Sequence, residues 1–147
     1  MTHFENRFMR LALDEAQLAF QHGDIPVGAV IVCNNNIVAR THNTRECNKN
    51  ALEHAEISAI SAACKKLGRW RLSDCDIYVT LEPCLMCTGA IIQSRIRRVY
   101  FGAYDSELGF VASNEALKPH IKFEYYCGIM EDECKSLIDK FFRQIRK

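Results

Sequence analysis

The stretch DIYVTLEPCLMCTGAIIQSRIRRVYF, residues 76–101, decides the fold. Its first part, Asp76 to Leu81, is rich in β-branched and aromatic residues and predicts a strand. Cys84 to Ser94 follows a proline and predicts a helix, and Val99 to Phe101 predicts a second strand. A strand, a helix and a strand in this order imply parallel pairing through a right-handed crossover. The sheet should therefore contain at least one parallel pair.

The segment before this unit predicts a helix followed by a hairpin. Thr2 and Glu5 have the spacing of an N-terminal capping box, and an apolar stripe runs behind them towards Gly23. The stripe consists of Phe8, Leu11, Ala12, Ala16, Ala19 and Phe20. Val27 to Cys33 and Ile37 to His42 predict two strands. The asparagines at positions 34–36 supply the turn that joins these strands as an antiparallel hairpin.

Two further helices and a last strand complete the predicted order of elements. A polar loop over residues 43–50 leads to a helix from His54 to Leu67, and Pro119 breaks the chain before a strand from His120 to Cys127. A final helix begins at Glu131. Its apolar face consists of Leu137, Ile138, Phe141, Phe142 and Ile145. The predicted fold class is α/β, a three-layer α/β/α sandwich with a five-stranded mixed sheet, in one domain over residues 1–147.

The composition limits the kind of protein and its partners. With 147 residues, 48% of them hydrophobic and 25% charged, the chain suits one domain with a real core. Neither a signal peptide nor a membrane helix is evident, which predicts a cytoplasmic protein with reduced thiols and no membrane partner. The net charge is +1, so any contact with nucleic acid must use local basic clusters. Those clusters are Lys65, Lys66, Arg69 and Arg71; Arg95, Arg97 and Arg98; and Lys140, Arg143, Arg146 and Lys147. Each is also typical of a solvated helix end.

A set of metal-ligand residues lies at the start of two predicted helices. His54, Cys84 and Cys87 make a three-ligand zinc site that leaves a fourth position open for water. Cys84 and Cys87 are three apart in a first helical turn and can face one ion together. Glu56 is two residues from His54, so it points away from the ligand and towards the water. This pattern predicts a site that activates water.

Each part of the pattern also has a simpler interpretation. A His-x-Glu sequence occurs by chance in many helices, and Cys-x-x-Cys is also found in redox pairs and in halves of structural zinc sites. Structural zinc usually takes four protein ligands, whereas three are positioned here. The other histidines are interpreted as surface or satisfied side chains: His3, His22, His42 and His120. The other cysteines are interpreted as small buried apolar residues and not as disulfides: Cys33, Cys47, Cys64, Cys75, Cys127 and Cys134.

Taken together, these motifs resemble those of one known family. His-x-Glu followed by Pro-Cys-x-x-Cys is the signature of zinc-dependent nucleobase deaminases. The chain resembles the bacterial tRNA-specific adenosine deaminases of the cytidine deaminase superfamily over most of its length. The matching segments are IPVGAVIV at 25–32, HAEISAI at 54–60, YVTLEPCLMCTGAI at 78–91, SRIRRVYFGA at 94–103, and the pattern of Cys134, Leu137, Phe141, Phe142 and Arg143.

The resemblance implies a cytidine deaminase-like fold and a specific reaction. That reaction is hydrolytic conversion of adenosine to inosine at the wobble position of a tRNA anticodon arm, by a homodimer with one zinc per subunit. Glu56 would transfer protons, and His54, Cys84 and Cys87 would hold the zinc. Asn43 falls where the family has an asparagine that hydrogen-bonds the target nucleoside, although a loop asparagine is also typical of a turn.

One segment departs from the family pattern, and two other functions stay open. Family members follow the Phe101 strand with a basic residue, Asp and a further Lys, whereas this chain keeps Asp105 but lacks both cations between Tyr104 and Phe110. The resemblance therefore says least about RNA affinity and substrate choice in this segment. One alternative is a deaminase of a free base or nucleoside, such as guanine or cytosine. Another is a non-enzymatic nucleic-acid-binding module stabilised by zinc, although a core of this size should not need the metal.

Overall fold

The computed structural model describes residues 3–145, with side chains from residue 6 onwards. The predicted capping box of Thr2 and Glu5 lies outside the described side chains, as do Arg146 and Lys147 of the third basic cluster. The elements in chain order are α1 (His3–Gln21), β1 (Gly28–Cys33), β2 (Asn36–His42), α2 (Ala55–Leu67), β3 (Cys75–Leu81), α3 (Leu85–Ser94), β4 (Arg98–Ala103), a 3₁₀ helix (Glu115–His120), β5 (Glu124–Tyr126) and α4 (Glu131–Ile145). None of the helices in the described part of the chain could cross a membrane.

The five strands form one mixed sheet in the order β2-β1-β3-β4-β5. β1 pairs antiparallel with β2 and with β3, whereas β3, β4 and β5 run parallel. The predicted hairpin turn is tight, since Asn34 and Asn35 both have positive φ, at 50° and 65°. The predicted parallel unit is confirmed by the register, which runs from Asp76 opposite Arg98 to Leu81 opposite Ala103.

Helices cover both faces of this sheet, which confirms the three-layer α/β/α architecture. On one face, α2 and α3 contribute Ala55, Ala59, Ala63 and Ile91 to a core cluster with β1, β3 and β4. On the other face, α1 and α4 pack through Phe8, Met9 and Cys134. A row of tyrosine rings runs across this second face, with Tyr78 stacked on Tyr100 at 4.4 Å and Tyr100 on Tyr126 at 5.0 Å between centroids.

The last strand is shorter than predicted, and Pro119 is placed differently. The prediction of a strand from His120 to Cys127 is wrong at both ends, because only residues 124–126 pair with β4. Pro119 lies inside the 3₁₀ helix, which begins where the Asn114 side chain accepts a hydrogen bond from the Ala116 N–H at 2.9 Å. β5 is an edge strand whose three residues are all exposed, so no apolar pattern marks its limits.

Gly28 is the point where α1 lies directly on the sheet. A Cβ atom at this position would stand 1.9 Å from the Ala12 carbonyl oxygen and 2.7 Å from the Ala16 nitrogen. Both atoms belong to the helix backbone and cannot rotate away. Gly28→Ala is therefore expected to destabilise the protein by about 3 kcal/mol, the upper end for overpacking, measured by thermal or urea unfolding. An unchanged unfolding midpoint would contradict this close approach of helix and strand.

Candidate active site

The three predicted metal ligands meet between the N-termini of α2 and α3. His54 is the N-cap residue of α2 and Cys84 the N-cap residue of α3, while Cys87 lies in the first turn of α3. His54 Nδ1 is 3.6 Å from Cys84 Sγ and also 3.6 Å from Cys87 Sγ. All three ligand atoms lie within 4.8 Å of one another. The two helices thus bring together residues that are thirty positions apart in the chain.

This donor set fits zinc. With Zn–S and Zn–N bonds of about 2.3 and 2.05 Å, a tetrahedral angle separates sulfur from nitrogen by roughly 3.6 Å. The two observed nitrogen-to-sulfur distances are both 3.6 Å. One imidazole and two thiolates also match the ligand types that zinc prefers over magnesium or calcium. The residues therefore form three corners of a tetrahedral site.

The surroundings favour a negative charge on Cys84 but not on Cys87. Hydrogen bonding from the Cys87 thiol, and next from His54, lowers the pKa of Cys84 to about 4 despite its partial burial. The same contact with Cys84, together with burial, raises the pKa of Cys87. Two thiolates side by side are stable only with a cation between them, and the positive ends of two helix dipoles add to that attraction. The site is thus built for a divalent cation.

Glu56 lies beside the ligands and is almost completely enclosed. It is the second residue of α2 and is 4% exposed. Burial, the largest effect, raises the pKa of its carboxyl group to about 7. The carboxyl group contacts the Cys87 thiol and also lines the cleft in front of the ligands. Glu56 therefore lies next to the three ligand residues and faces the cleft.

A cleft of about 790 Å³ opens in front of the ligands. The start of α2 forms its floor, and its walls come from the loops after α1, β2 and β4. One side of α4 closes it through Ile138, Phe141 and Phe142, part of the apolar face predicted for this helix. Helix α4 therefore belongs to the cleft as well as to the core.

Asn43 lies in the same cleft, at the end of β2. Its side chain is buried, its Nδ2 group donates to the Ile25 carbonyl at 3.2 Å, and its Oδ1 atom accepts from the Arg45 N–H at 3.1 Å. The second contact is the turn that the sequence offered as the simpler interpretation. Each end of the amide still has one hydrogen-bonding position left for another partner. The turn thus holds the amide in place without using it up.

Glu82 is a site residue that the sequence analysis did not single out. It is 2% exposed, and its carboxylate accepts five hydrogen bonds from the segment after β4. The donors are the backbone N–H groups of Asp105, Val111, Ala112 and Ser113 and the Ser113 hydroxyl. Burial opposes ionisation, but these hydrogen bonds, led by those from Ser113, outweigh it and lower the pKa of Glu82. Glu82 thereby holds the loop that lines the cleft.

The loop departing from the family pattern is the one that Glu82 holds. Gly109 forms an isolated bridge with Cys84, and a Cβ atom at Gly109 would stand 2.4 Å from the Glu82 carboxyl carbon. Tyr104, just before Asp105, and Leu108, between Asp105 and Gly109, are exposed at the cleft. A carboxylate within an apolar run was a local signal that Glu82 has a special role. Its hydrogen-bond donors, however, lie 23 to 31 residues further along the chain and show no recognisable sequence pattern.

The remaining histidines and cysteines agree in most cases with the simpler interpretations. His42 Nδ1 is satisfied by the Glu15 carboxylate at 2.9 Å, and His22 and His120 are exposed, while the side chain of His3 lies outside the described residues. All eight cysteines are free, which confirms the prediction against disulfides. The burial prediction holds only in part for Cys64 and Cys127, which are half-buried, and it is wrong for Cys47, which is exposed. Its loop is held through backbone N–H groups by Asp24, so the thiol can face solvent.

The comparisons with known proteins agree with this site. Residues 2–103 match the family described as the cytidine and deoxycytidylate deaminase zinc-binding region, so the fold and the ligands define a deaminase of that zinc-binding class. The tRNA-specific adenosine deaminase of Bacillus subtilis is 43% identical over 144 residues, which cover 95% of this chain and 89% of that protein. The chain belongs to the family of tRNA-specific adenosine deaminases.

Solved structures place the fold in the same group. A structure from a study of A-to-I editing by tRNA:A34 deaminases at the wobble position has a TM-score of 0.86 and 41% identity, covering 89% of this chain and 98% of that chain. A guanine deaminase from Nitrosomonas europaea has a TM-score of 0.80 and covers 92% of this chain and 83% of its own. Its identity is 22%, so it supports the shared fold alone.

Proposed function

We propose that this protein hydrolyses adenosine to inosine at wobble position 34 of a tRNA anticodon. The observation that carries the proposal is a three-ligand zinc site beside the buried Glu56, at the floor of an open cleft. The family to which the chain belongs supports the choice of tRNA, since the solved structure with 41% identity concerns tRNA:A34 deaminases.

The residues divide into a metal-holding set and a proton carrier. His54, Cys84 and Cys87 hold zinc, and bound zinc supplies Lewis-acid activation of water near neutral pH. Glu56 accepts the proton that the water gives up and donates a proton to the adenine ring nitrogen as oxygen adds at C6. Glu56 then takes the remaining proton from the oxygen bound to C6 and passes it to the amine, which leaves as ammonia. The products are inosine and ammonia, with one water consumed.

The cleft suits an unstacked base presented by a loop. An anticodon loop offers single-stranded bases, which lowers the cost of extruding the target into a pocket. Asn43 would hydrogen-bond the nucleoside through the positions of its amide that its contacts with Ile25 and Arg45 leave open. Tyr104 and Leu108 offer exposed surface against which a base can stack or pack. These contacts would hold the target over the ligands.

Contacts with the RNA backbone need cations, and the structure narrows the choice. Arg45 is the only Lys or Arg among the described residues that line the cleft. Within the predicted basic clusters, Arg97 and Arg98 pair with Asp76, and Arg69 pairs with Asp74. Those pairs favour a structural role for the three arginines. We assign phosphate contacts to Arg45 and to the exposed Lys65, Lys66 and Arg71.

The larger organisation follows the family. We propose that residues 1–147 act as one catalytic domain, that the protein is a homodimer with one zinc per subunit in the active site, and that it works in the cytoplasm, where its tRNA substrate is found. Size-exclusion chromatography with light scattering measures the molar mass in solution, which distinguishes a dimer from a monomer. A monomer that deaminates at full rate would exclude dimerisation as a requirement.

A direct assay tests the reaction and the substrate. Purified protein is incubated with an anticodon stem-loop carrying adenosine at position 34, and the RNA is analysed by mass spectrometry. Inosine replaces an amino group by oxygen, so a gain of about one mass unit is expected at that nucleotide. The matched control is a stem-loop with guanosine at the same position. Deamination of free guanine or cytosine, with none of the RNA, would favour the small-molecule alternative.

Metal removal separates a catalytic zinc from a structural one. Stripping the protein with a chelator is expected to abolish deamination while the far-UV circular dichroism stays unchanged, because apolar cores on both faces of the sheet hold the fold. Adding back zinc should restore activity. Unfolding on chelation would instead indicate that the metal holds the domain together.

A further inference from the structure

A second cluster of metal-ligating side chains lies at the opposite end of β3 from the cleft. It consists of Cys33 at the end of β1, Cys75 at the start of β3, and Asp74 just before β3. One ligand atom from each residue lies within 4.8 Å of the others. Leu81 at the cleft is six positions after Cys75 along β3, which is about 20 Å at 3.3 Å per residue. The cluster is therefore separate from the candidate active site.

The sheet register holds the two thiols against each other. Cys33 and Cys75 are direct partners in the antiparallel pairing of β1 with β3, and both belong to the core cluster under α2 and α3. Cys75 uses its backbone N–H for the Leu72 carbonyl and its carbonyl for the Arg97 N–H. Its backbone groups therefore point away from β1, which makes this a non-hydrogen-bonded pair with Cα atoms about 4.5 Å apart. The thiols thus come from closely spaced backbones on the same face.

Asp74 offers a third donor atom, and its carboxylate is already fixed in position. Its Oδ1 atom is 3.5 Å from Cys75 Sγ. That distance equals the roughly 3.5 Å expected between an oxygen and a sulfur at two corners of a tetrahedral zinc site. Arg69 Nη2 donates to both oxygens of Asp74, at 2.8 and 3.0 Å. Carboxylates that bind metals are commonly oriented by such a hydrogen-bonding partner.

We propose that Cys33, Cys75 and Asp74 bind a second divalent cation of the thiophilic class, with zinc as the natural occupant. Two sulfurs and one carboxylate oxygen favour zinc or cadmium over magnesium and calcium. Solvent completes the coordination, because the Asp74 side chain is 47% exposed. Such an ion would tie the β1–β2 hairpin to the segment that leads from α2 into β3. Its role is structural, since none of its three ligands is among the described residues that line the cleft.

Metal counting on the full-length protein tests this proposal. Reduced protein is stripped, equilibrated with excess zinc, desalted and analysed for zinc per chain by mass spectrometry of the metal. Wild type should hold two equivalents, Cys33→Ser one, Cys84→Ser one, and the double variant none. Cys47→Ser is the matched control, because its thiol is exposed and belongs to neither cluster, and it should keep two. Cys33→Ser should retain deamination, since the active-site ligands are intact.

A second variant keeps the test valid if a cysteine substitution disturbs folding. Arg69→Ala leaves all three ligands in place but frees the Asp74 carboxylate, so zinc affinity of this site should fall about 10- to 100-fold in competition with a chromophoric chelator. A wild type with one equivalent of zinc overturns the proposal. A Cys33–Cys75 disulfide in protein isolated under reducing conditions also overturns it, and would be detected as two cysteines that carry no alkyl group after alkylation of the denatured chain. Equal zinc affinity in Arg69→Ala and wild type would remove the proposed ligand role of Asp74.

Discussion

Glu56→Gln is expected to lower the rate of adenosine deamination in an anticodon stem-loop by about 10²- to 10⁴-fold, the usual contribution of a general acid–base group. The amide has the size of the carboxyl group but cannot accept the proton of the attacking water. Glu56 is not among the three metal ligands, so the zinc content and the unfolding temperature should stay close to those of wild type. Single-turnover kinetics with saturating protein measures the chemical step free of product release.

The control for Glu56→Gln is Glu107→Gln. Glu107 is an exposed carboxylate that also lines the cleft, so this change removes the same charge without touching the ligands. Its rate should remain close to that of wild type. A similar loss in both variants would point to the charge of the cleft and not to proton transfer. Full turnover in the Glu56→Gln protein would remove Glu56 from the mechanism.

Glu82→Gln is expected to destabilise the protein by about 3 kcal/mol, because a buried charged acceptor is lost while its donors stay in place. Both oxygens of Glu82 accept from N–H or O–H groups, so the amide nitrogen of glutamine would face donors in either orientation. For a protein of this size, the unfolding temperature should fall by about 6 to 12 °C in differential scanning calorimetry.

Two comparisons isolate the effect of Glu82. Glu115→Gln changes an exposed carboxylate shortly after the same loop, which pairs with Lys118 at 3.8 Å, and should shift stability by less than about 0.5 kcal/mol. Equal unfolding temperatures for the two variants would contradict the anchoring role of Glu82.

The second comparison is the stability of wild type and Glu82→Gln as the pH is lowered. The pKa of Glu82 in the folded protein lies below its ordinary value of 4.5, so its contribution to stability is present above that pH. The contribution is lost as the pH falls through the folded-state pKa. The difference in unfolding free energy between wild type and Glu82→Gln should therefore narrow as the pH is lowered below 4.5. If the difference in unfolding free energy stayed constant across that range, the ionised Glu82 carboxylate would not be its cause.

Most of the fold and the positions of the three predicted zinc ligands could be predicted from local sequence patterns. The strand over residues 76–81 and the proline before Cys84 placed β3 and α3 to within one residue, because strand propensity and helix starts are encoded in neighbouring residues. The same signals placed His54 and Cys84 at helix N-termini, where the structure has them as N-cap residues. The β5 strand was harder to place, since its exposed residues carry no apolar alternation.

Features that depend on long-range pairing were not accessible from the sequence. Glu82 depends on donors from residues 105–113, which are brought to it only when β4 lies beside β3. Cys33 and Cys75 show no paired spacing in the chain and become partners through the register of β1 with β3. A shift of one residue in that register would send the two thiols to opposite faces. Such contacts are properties of the sheet and not of any local segment.

The way Glu82 holds its loop separates two tasks within a short stretch of chain. The carboxylate binds the N–H groups of Asp105 and of Val111 to Ser113, whereas the side chains of Ser106 to Leu108 are exposed at the cleft and take no part in that anchor. Residues in the middle can thus be exchanged by evolution or by grafting from a relative without disturbing the supporting frame. Substitutions in residues 106–108 can therefore change the substrate preference of this protein with little effect on its folding.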